Sequence, residues 1–413
     1  KDINVAEVKA TGDVSIHSIG AIFNAVDPAV EANAIAIEAK NLELAAMGSV
    51  GTAAKNLTTD IKGGTLAAVA ETGDIYIDNY GDGDIYLKNI AAVAGDVSIK
   101  SKKNIFATDD YLSEIPPYVQ AGKTVTLISR KASVGALTKD GEDEDGMPYV
   151  GGQRTGSKGK AIRVLNNGKQ VTVKAAENVY VEGISTNTAS GTKDPEGTLL
   201  FEASNVDPNS KLKNVGVYVN GTLQLTGDLK AQETISLDTA LALNMDSELE
   251  AKNIKLRSGE NIEINKKLSA DNDLNVISKA DVIIKNEVSA GHDVNIKANN
   301  NISSTSAGKI KAGNDANLNA INGSINLAGE VSAGNDANLT AKTSITTNGL
   351  VSADHDANLN AGTSLTINGP ITAKNNANLT AGTDLFANSN VTAKNAKLSA
   401  ENDVNVSGKV EAT

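Results

Sequence analysis

The densest group of side chains that could bind a metal ion is an acidic run flanked by glycine. Its members are Asp140, Glu142, Asp143, Glu144 and Asp145. Carboxylate oxygens are the ligands that Ca²⁺ prefers, but the run lacks both the EF-hand spacing and the glycine-rich nonapeptide of calcium-binding β-rolls. The composition therefore favours a solvated loop. A Ca²⁺ site, and a contact with the basic stretch 154–160 or with a neighbouring subunit, are the alternatives.

Histidine is the other common metal ligand, and the sequence contains 3: His17, His292 and His355. The last two occupy the same outward turn position in repeats of about 20 residues. They lie three repeats apart, or about 14 Å if successive repeats stack at about 4.8 Å. That separation is too large for both imidazoles to bind one metal ion. We expect these histidines to be surface turn residues.

The composition argues against most enzyme chemistry. There is no Cys and no Trp, and aromatic residues make up 3% of the chain. Without Cys there can be no disulfide, no cysteine-based zinc site and no thiol nucleophile. A polysaccharide-cleaving site needs paired carboxylates, which occur only in the acidic run, and aromatic platforms for the sugar rings. We therefore expect no enzymatic activity and no cofactor, and a polysaccharide-cleaving β-helix enzyme is the remaining enzymatic alternative.

The charge balance narrows the possible partners. Against 38 Lys and Arg there are 50 Asp and Glu, which gives a net charge of −12. This balance argues against binding to nucleic acid and to anionic membrane surfaces, both of which need clustered cations. The apolar runs are short, so no membrane insertion is expected. The chain starts at Lys1 without Met or a signal peptide, and we expect a mature or excised piece.

The few aromatic residues are concentrated in the N-terminal half. Tyr76, Tyr80 and Tyr86 form the densest cluster. Tyr76 and Tyr86 fall at outward positions of predicted strands. We expect them to form a stacked surface ladder or a subunit contact rather than a catalytic subsite.

A repeat of about 20 residues organises the chain, with three short apolar stretches in each repeat. Within a stretch apolar and polar residues alternate, as in Ala337-Asn-Leu-Thr-Ala341, which is typical of a half-buried β-strand. Three short strands in so few residues predict one turn of a parallel β-helix, in which equivalent residues stack. The predicted core columns contain Leu229, Leu249, Leu268, Val288, Ile310, Val331, Val351, Ile371 and Val391, and, in a second column, Leu339, Leu359 and Leu379.

The N-terminal half repeats on a longer scale. Gly12-Asp-Val-Ser-Ile16 returns as Gly95-Asp-Val-Ser-Ile99, and the tripeptide ending at Gly51 returns at Gly135. We therefore expect an irregular β-helix over 1–184, made of two copies of about 83 residues with a loop insertion at 137–159. Residues 185–228 are predicted to be transition coils with loops, and 229–413 a regular β-helix.

The motif Ala-Gly-x-Asp-Ala-x-Leu-x-Ala, at Ala312–Ala320 and Ala333–Ala341, resembles the repeats of filamentous-haemagglutinin-like exoproteins of the two-partner-secretion type. The resemblance covers nearly the whole chain. It implies an all-β, right-handed parallel β-helix in a large secreted bacterial adhesin, and it brings no catalytic residues. The Asn-Pro-Asn motif of the family's secretion domain is missing from the sequence. The chain is therefore expected to be an internal shaft segment or a relative that assembles differently.

We expect an extracellular structural protein, located at the bacterial cell surface or secreted. It would act as the shaft of an adhesin or as a subunit of an extracellular filament. Its expected partners are further copies of itself stacked end to end, or more chain of the same protein. The alternative is a carbohydrate- or host-binding module that acts through loops of the N-terminal half.

Overall fold

The computed structural model describes residues 1–26, 34–108, 119–137, 141–150, 160–165, 167–184 and 197–412. In these ranges the chain is all-β and contains no helix, and hence no helix that could cross a membrane. Parallel strands stack about 20 residues apart, which gives a β-solenoid of about 18 turns. The predicted fold class is therefore confirmed. The chain divides into two compact units, Lys1–Gln232 and Glu233–Thr413.

The strands before Leu229 are β1 (Ile3–Val5), β2 (Val8–Lys9), β3 (Asp13–Ser18), β4 (Ile22–Asn24), β5 (Ile37–Ala39), β6 (Asn41–Ala46), β7 (Leu57–Ile61), β8 (Thr65–Ala70), β9 (Ile75–Asn79), β10 (Ile85–Ala92), β11 (Val97–Ser101), β12 (Ile105–Ala107), β13 (Val119–Ala121), β14 (Val125–Ser129), β15 (Ile162–Leu165), β16 (Gln170–Ala175), β17 (Asn178–Ile184), β18 (Thr198–Asn205), β19 (Leu212–Val219) and β20 (Thr222–Leu225).

The later strands are β21 (Leu229–Thr239), β22 (Leu243–Met245), β23 (Leu249–Ala251), β24 (Asn253–Ser258), β25 (Ile262–Ile264), β26 (Leu268–Ala270), β27 (Leu274–Ser278), β28 (Val282–Ile284), β29 (Val288–Ala290), β30 (Val294–Ala298), β31 (Ile302–Ser304), β32 (Ile310–Ala312), β33 (Ala316–Ala320), β34 (Ile325–Leu327), β35 (Val331–Ala333), β36 (Ala337–Ala341), β37 (Ile345–Thr347), β38 (Val351–Ala353), β39 (Ala357–Ala361), β40 (Leu365–Ile367), β41 (Ile371–Ala373), β42 (Asn376–Ala381), β43 (Leu385–Ala387), β44 (Val391–Ala393), β45 (Asn395–Ala400), β46 (Val404–Val406) and β47 (Val410–Ala412).

The second unit is built from coils of three strands each. In one coil β36, β37 and β38 follow each other along the chain, and each pairs in parallel with its counterpart one coil later, β39, β40 and β41. The register places equivalent residues side by side, so that Leu339 pairs with Leu359 and Val351 with Ile371. Because side chains alternate between the two faces of a strand, one face of every coil points into the solenoid along its whole length.

The interior of the coils is filled by aliphatic side chains. Every residue of the predicted columns is at most 1% exposed: Leu229, Leu249, Leu268, Val288, Ile310, Val331, Val351, Ile371, Val391, Leu339, Leu359 and Leu379. Ala337 and Ala341 complete the inner face of β36 and are also buried. Short strands that enclose a narrow interior leave room for Ala, Val, Ile and Leu, which explains why so few aromatic residues are needed.

Among the described residues no strand follows the last coil, so one edge of this coil is uncovered. Val404, Val406 and Val410 stand at the inner positions of β46 and β47, yet they are 46%, 44% and 39% exposed. Their counterparts one coil earlier, Leu385, Ala387 and Val391, are fully buried.

The first unit uses longer and less regular coils, in which most strands belong to two parallel sheets. One sheet runs through β9, β11, β14 and β16, and the other through β8 and β10 and later through β15, β17 and β19. The two glycines that the long repeat equates share a left-handed backbone conformation that favours glycine, with φ of 69° at Gly51 and 75° at Gly135. A Cβ at either position would press on the carbonyl oxygen of a tyrosine, Tyr76 or Tyr180.

Candidate functional site

The acidic run forms part of a surface turn. Asp140 lies outside the described residues, whereas Glu142, Asp143, Glu144 and Asp145 are described. Asp143 Oδ1 accepts hydrogen bonds from the backbone N–H groups of Asp145 and Met147, at 3.1 and 3.0 Å, so this carboxylate helps to order its own turn. Within the described residues, the run does not bring three ligand atoms within 4.8 Å of one another.

Asparagine side chains form a continuous ladder along the outer face of the second unit. The ladder runs through Asn275, Asn295, Asn317, Asn338, Asn358 and Asn378, and from Asn295 onward each Nδ2 donates to the Oδ1 of the ladder asparagine in the preceding coil at 2.8–3.0 Å. Between the two ends of the ladder, each amide uses one donor and one acceptor along the stacking direction. The ladder therefore joins neighbouring coils in addition to their backbone hydrogen bonds.

A second ladder, here called the aspartate ladder, lies at the turn that leads from the third strand of one coil to the first strand of the next. Its members are Asp273, Asp293, Asp315, Asp336 and Asp356. Each Oδ1 accepts the backbone N–H of the equivalent residue one coil later, at 2.9–3.2 Å. The turn thus fixes the position of each carboxylate through the backbone of the following coil.

The residue that precedes the equivalent position one coil later makes a second side-chain contact with the same oxygen. It is asparagine in three coils, where Nδ2 of Asn314, Asn335 or Asn375 lies 2.8–2.9 Å from the Oδ1 of the preceding aspartate. In the other two coils histidine replaces it. Nδ1 of His292 lies 3.1 Å from Asp273 Oδ1, and Nδ1 of His355 lies 2.9 Å from Asp336 Oδ1.

Each of these two histidines lies between two carboxylates. His292 Nδ1 is 3.1 Å from Asp273 Oδ1 and 3.3 Å from Asp293 Oδ2. His355 Nδ1 is 2.9 Å from Asp336 Oδ1 and 3.5 Å from Asp356 Oδ1. We call these groups the Asp273 triad and the Asp336 triad. In the described part of the chain, no other group brings three such ligand atoms within 4.8 Å of one another.

The charges within the Asp336 triad influence each other. The hydrogen bond to Asp336 raises the pKa of His355 above its ordinary value, with a further contribution from the charge of Asp356. Burial alone would raise the pKa of Asp356, but hydrogen bonds from Asn376 and Asn375, together with the His355 charge, hold it below its ordinary value. An ionised carboxylate beside a protonatable imidazole is the resulting arrangement.

The prediction that the two histidines lie in outward turns agrees with their exposure, since each side chain is 54% exposed. The side chains that contact each histidine were not predicted from the sequence. The partner of each imidazole is not the other histidine but an aspartate 19 residues earlier. The available signal was the dipeptide His-Asp at 292–293 and 355–356, aligned with an aspartate at the same turn position one coil before.

The tyrosine cluster does not converge on one site. Tyr76 lies on β9, in one sheet of the first unit, while Tyr86 lies on β10 in the other. The Tyr86 ring packs against Phe106 with centroids 5.7 Å apart, and Lys160 Nζ lies 5.9 and 5.5 Å from the two rings. Burial and the nearby carboxylates raise the pKa of Tyr76. These contacts stack residues of neighbouring coils.

Comparison with known proteins finds no matching protein-family model, no matching curated protein and no matching solved structure.

Proposed function

We propose that the chain is an extracellular structural protein, which serves as the shaft of a bacterial surface adhesin or as a subunit of an extracellular filament. The observation that carries this proposal is the unbroken stacking of the second unit, where three parallel sheets and an asparagine ladder join coil to coil. Such coupling between nearest neighbours stiffens a solenoid without requiring a wide core.

The residue composition supports a mechanical role. Outward positions carry Asn, Ser, Thr and Lys, and the inner positions carry aliphatic residues. The resemblance to filamentous-haemagglutinin-like repeats supports an adhesin shaft and a secreted location. The absence of Cys suits a protein whose stability does not depend on the redox state of its surroundings. No catalytic role forms part of the proposal, and new reducing ends after incubation with polyuronates would contradict it.

The edge of the last described coil offers a surface on which stacking can continue in either form of the proposal. A row of strand edges bordered by Val404, Val406 and Val410 is a template for another parallel strand. The edge of a second copy, or further chain of the same protein, would bury these side chains. In both cases the coils continue to stack, and the next coil belongs either to a second copy or to the same chain.

Electron microscopy of the purified chain distinguishes the two forms. About 18 turns at about 4.8 Å per turn limit a single chain to about 90 Å along its stacking direction. Regular fibres much longer than that limit support the filament subunit, and Val404→Lys combined with Val406→Lys should then disperse them. Ser352→Lys, an outward substitution far from the edge, is the control. Isolated particles within the limit at all concentrations would exclude the filament form.

The location is tested on intact cells that produce the protein. Antibodies against the chain, and an externally added protease, should reach a protein that is displayed at the surface. The secreted form should be recovered from the medium. Labelling and digestion that require lysis of the cells would contradict the proposal for both forms.

A further inference from the structure

Two of the 3 histidines in the chain occupy the same ladder position, each between two carboxylates. We propose that the Asp273 triad (Asp273, His292, Asp293) and the Asp336 triad (Asp336, His355, Asp356) each bind one divalent cation of the zinc class. The proposal is independent of whether the protein is a shaft or a filament subunit.

The distances between the ligand atoms suit such an ion. Zn²⁺ lies about 2.0–2.2 Å from nitrogen and oxygen ligands, so neighbouring ligands in a tetrahedral site are about 3.3 Å apart. The imidazole nitrogen of His292 is 3.1 and 3.3 Å from its two carboxylate oxygens. For His355 the corresponding distances are 2.9 and 3.5 Å. Each imidazole nitrogen therefore already lies at nearly the required spacing from both carboxylate oxygens, and the two oxygens of a triad lie within 4.8 Å of each other. In the Asp336 triad, Asp356 Oδ1 has to release hydrogen bonds from Asn375 and Asn376 when the ion binds.

The carboxylates are held in place by the stack and not only by the imidazole. Oδ1 of Asp273 accepts the backbone N–H of Asp293, and Oδ1 of Asp336 accepts that of Asp356, at 3.2 and 3.0 Å. Hydrogen bonds of this kind orient the ligands of metal sites and reduce the cost of ordering them when the ion binds.

Histidine is not required at this position for the fold. At the same position of other coils, Asn314 and Asn335 donate to the preceding aspartate at 2.8 Å and complete an equivalent turn. Histidine adds a nitrogen that binds a metal ion when it is unprotonated, which an asparagine amide nitrogen does not provide. In the bound state the ion takes the place of the proton on Nδ1, and the neutral imidazole carries its proton on Nε2.

The donor set indicates the class of ion. One imidazole nitrogen with two carboxylate oxygens suits Zn²⁺ and related divalent transition metals, whereas Ca²⁺ takes six to eight oxygen ligands. Each histidine side chain is 54% exposed, which leaves room for water at the remaining coordination positions. Because the triads lie three coils apart, at about 14 Å, they bind two ions independently.

Isothermal titration of Zn²⁺ into the full chain, in a buffer without chelating groups, tests the proposal. Wild-type protein should bind two Zn²⁺ per chain. His292→Asn and His355→Asn should each reduce the number to one, and the double variant should bind neither. These substitutions introduce the residue that neighbouring coils already use, so the fold is preserved, and circular dichroism checks this. His17→Asn is the matched control and should retain two ions.

Two outcomes overturn the proposal. Either wild-type protein takes up no Zn²⁺, or the double variant takes up as much as wild type, which would mean that the acidic surface binds the ion without the imidazoles. Titration with Co²⁺ adds a readout of the coordination itself. Its visible absorption should appear with wild type and be absent with the double variant, and a 100-fold excess of Ca²⁺ should leave it in place.

Discussion

Substitution of Leu339 by alanine tests whether the stacked aliphatic column holds the coils together. Leu339 is completely buried, and its column neighbours Leu318 and Leu359 are each 1% exposed. Removing a buried leucine side chain costs about 2–5 kcal/mol, and the upper part of that range applies where the surroundings cannot collapse into the cavity. Hydrogen-bonded strands on both sides fix the walls here, so we expect about 3–5 kcal/mol.

The same column supplies a matched control at its end. Leu398 pairs with Leu379 on one side, and its coil has no later strand on the other. It is partly exposed, so Leu398→Ala should cost only about 1–2 kcal/mol, because part of its surface already contacts water. Thr340→Ala, at an exposed outward position beside Leu339, should change stability by less than about 0.5 kcal/mol.

Hydrogen exchange of the full chain measures these effects coil by coil. Because each coil contacts only its neighbours, Leu339→Ala should lower the protection of β36 and of the adjacent β33 and β39, and should leave β24 and β45 unchanged. The reasoning is refuted if Leu398→Ala costs as much as Leu339→Ala. A uniform loss of protection from β24 to β45 would contradict the nearest-neighbour description.

Three further predictions concern polar and backbone features. Asn338→Ala removes two ladder hydrogen bonds and should lower the local opening free energy by roughly 1–3 kcal/mol in hydrogen exchange. Hydrogen bonds from Lys311 and Lys267 lower the pKa of Glu287. The stability that the ionised carboxylate contributes is therefore fully present above the ordinary pKa of 4.5, and it is lost as the pH falls through the lower pKa of the folded state. In denaturant titrations from pH 3 to 7, the difference between wild type and Glu287→Gln should therefore shrink at low pH, and a constant difference would contradict this. Gly51→Ala should destabilise more than Gly63→Ala in thermal unfolding, since both positions have positive φ but only at position 51 would the added Cβ collide with the Tyr76 carbonyl oxygen. Equal losses would show that this contact is unimportant.

The fold of the second unit could be predicted from the sequence because local and global signals agree there. In Ala337–Ala341 the alternation of small apolar and polar residues predicts a strand with one buried face, and the same pattern recurs at Ala357–Ala361. The repeat then fixes which residues stack, since only one register superposes Leu339 on Leu359.

The strand pairing of the first unit was harder to predict from the sequence, because one strand there can pair with two successive strands of the next coil. β10 pairs with β12 through Ile85–Leu87 and with β13 through Ile90–Ala92. Its register against β8 also shifts between Leu87 and Asn89. Neither feature leaves a periodic signal in the sequence. The register shift is a local bulge, and the divided pairing depends on how β12 and β13 share the edge of the longer strand β10.

The triads were missed for a different physical reason. A contact between His292 and Asp273 depends on the register of two coils, and the coil lengths vary. Asp315 follows Asp293 by 22 residues, because a turn closed by a hydrogen bond from Gly308 N–H to the Thr305 carbonyl lengthens that coil. The register has to be known before the aspartates of successive coils can be recognised as neighbours in space.

That row shows how a solenoid can generate surface chemistry without a pocket. Repeating one acidic residue at one turn position places like charges about 4.8 Å apart, where each adjacent pair repels by about 0.9 kcal/mol in bulk water. In this chain a backbone N–H donates to every Oδ1 of the ladder and offsets part of the repulsion. Asp356 Oδ1 accepts two further hydrogen bonds from the amides of Asn375 and Asn376, and the ladder passes into amides at Asn376. A bound cation would offset it further, and it would do so only where histidine supplies a nitrogen ligand. The coils that carry His292 and His355 are therefore the coils in which the proposed metal binding is built on the stacked turns. Replacing the two imidazoles by amides should remove the binding and leave the stacking intact.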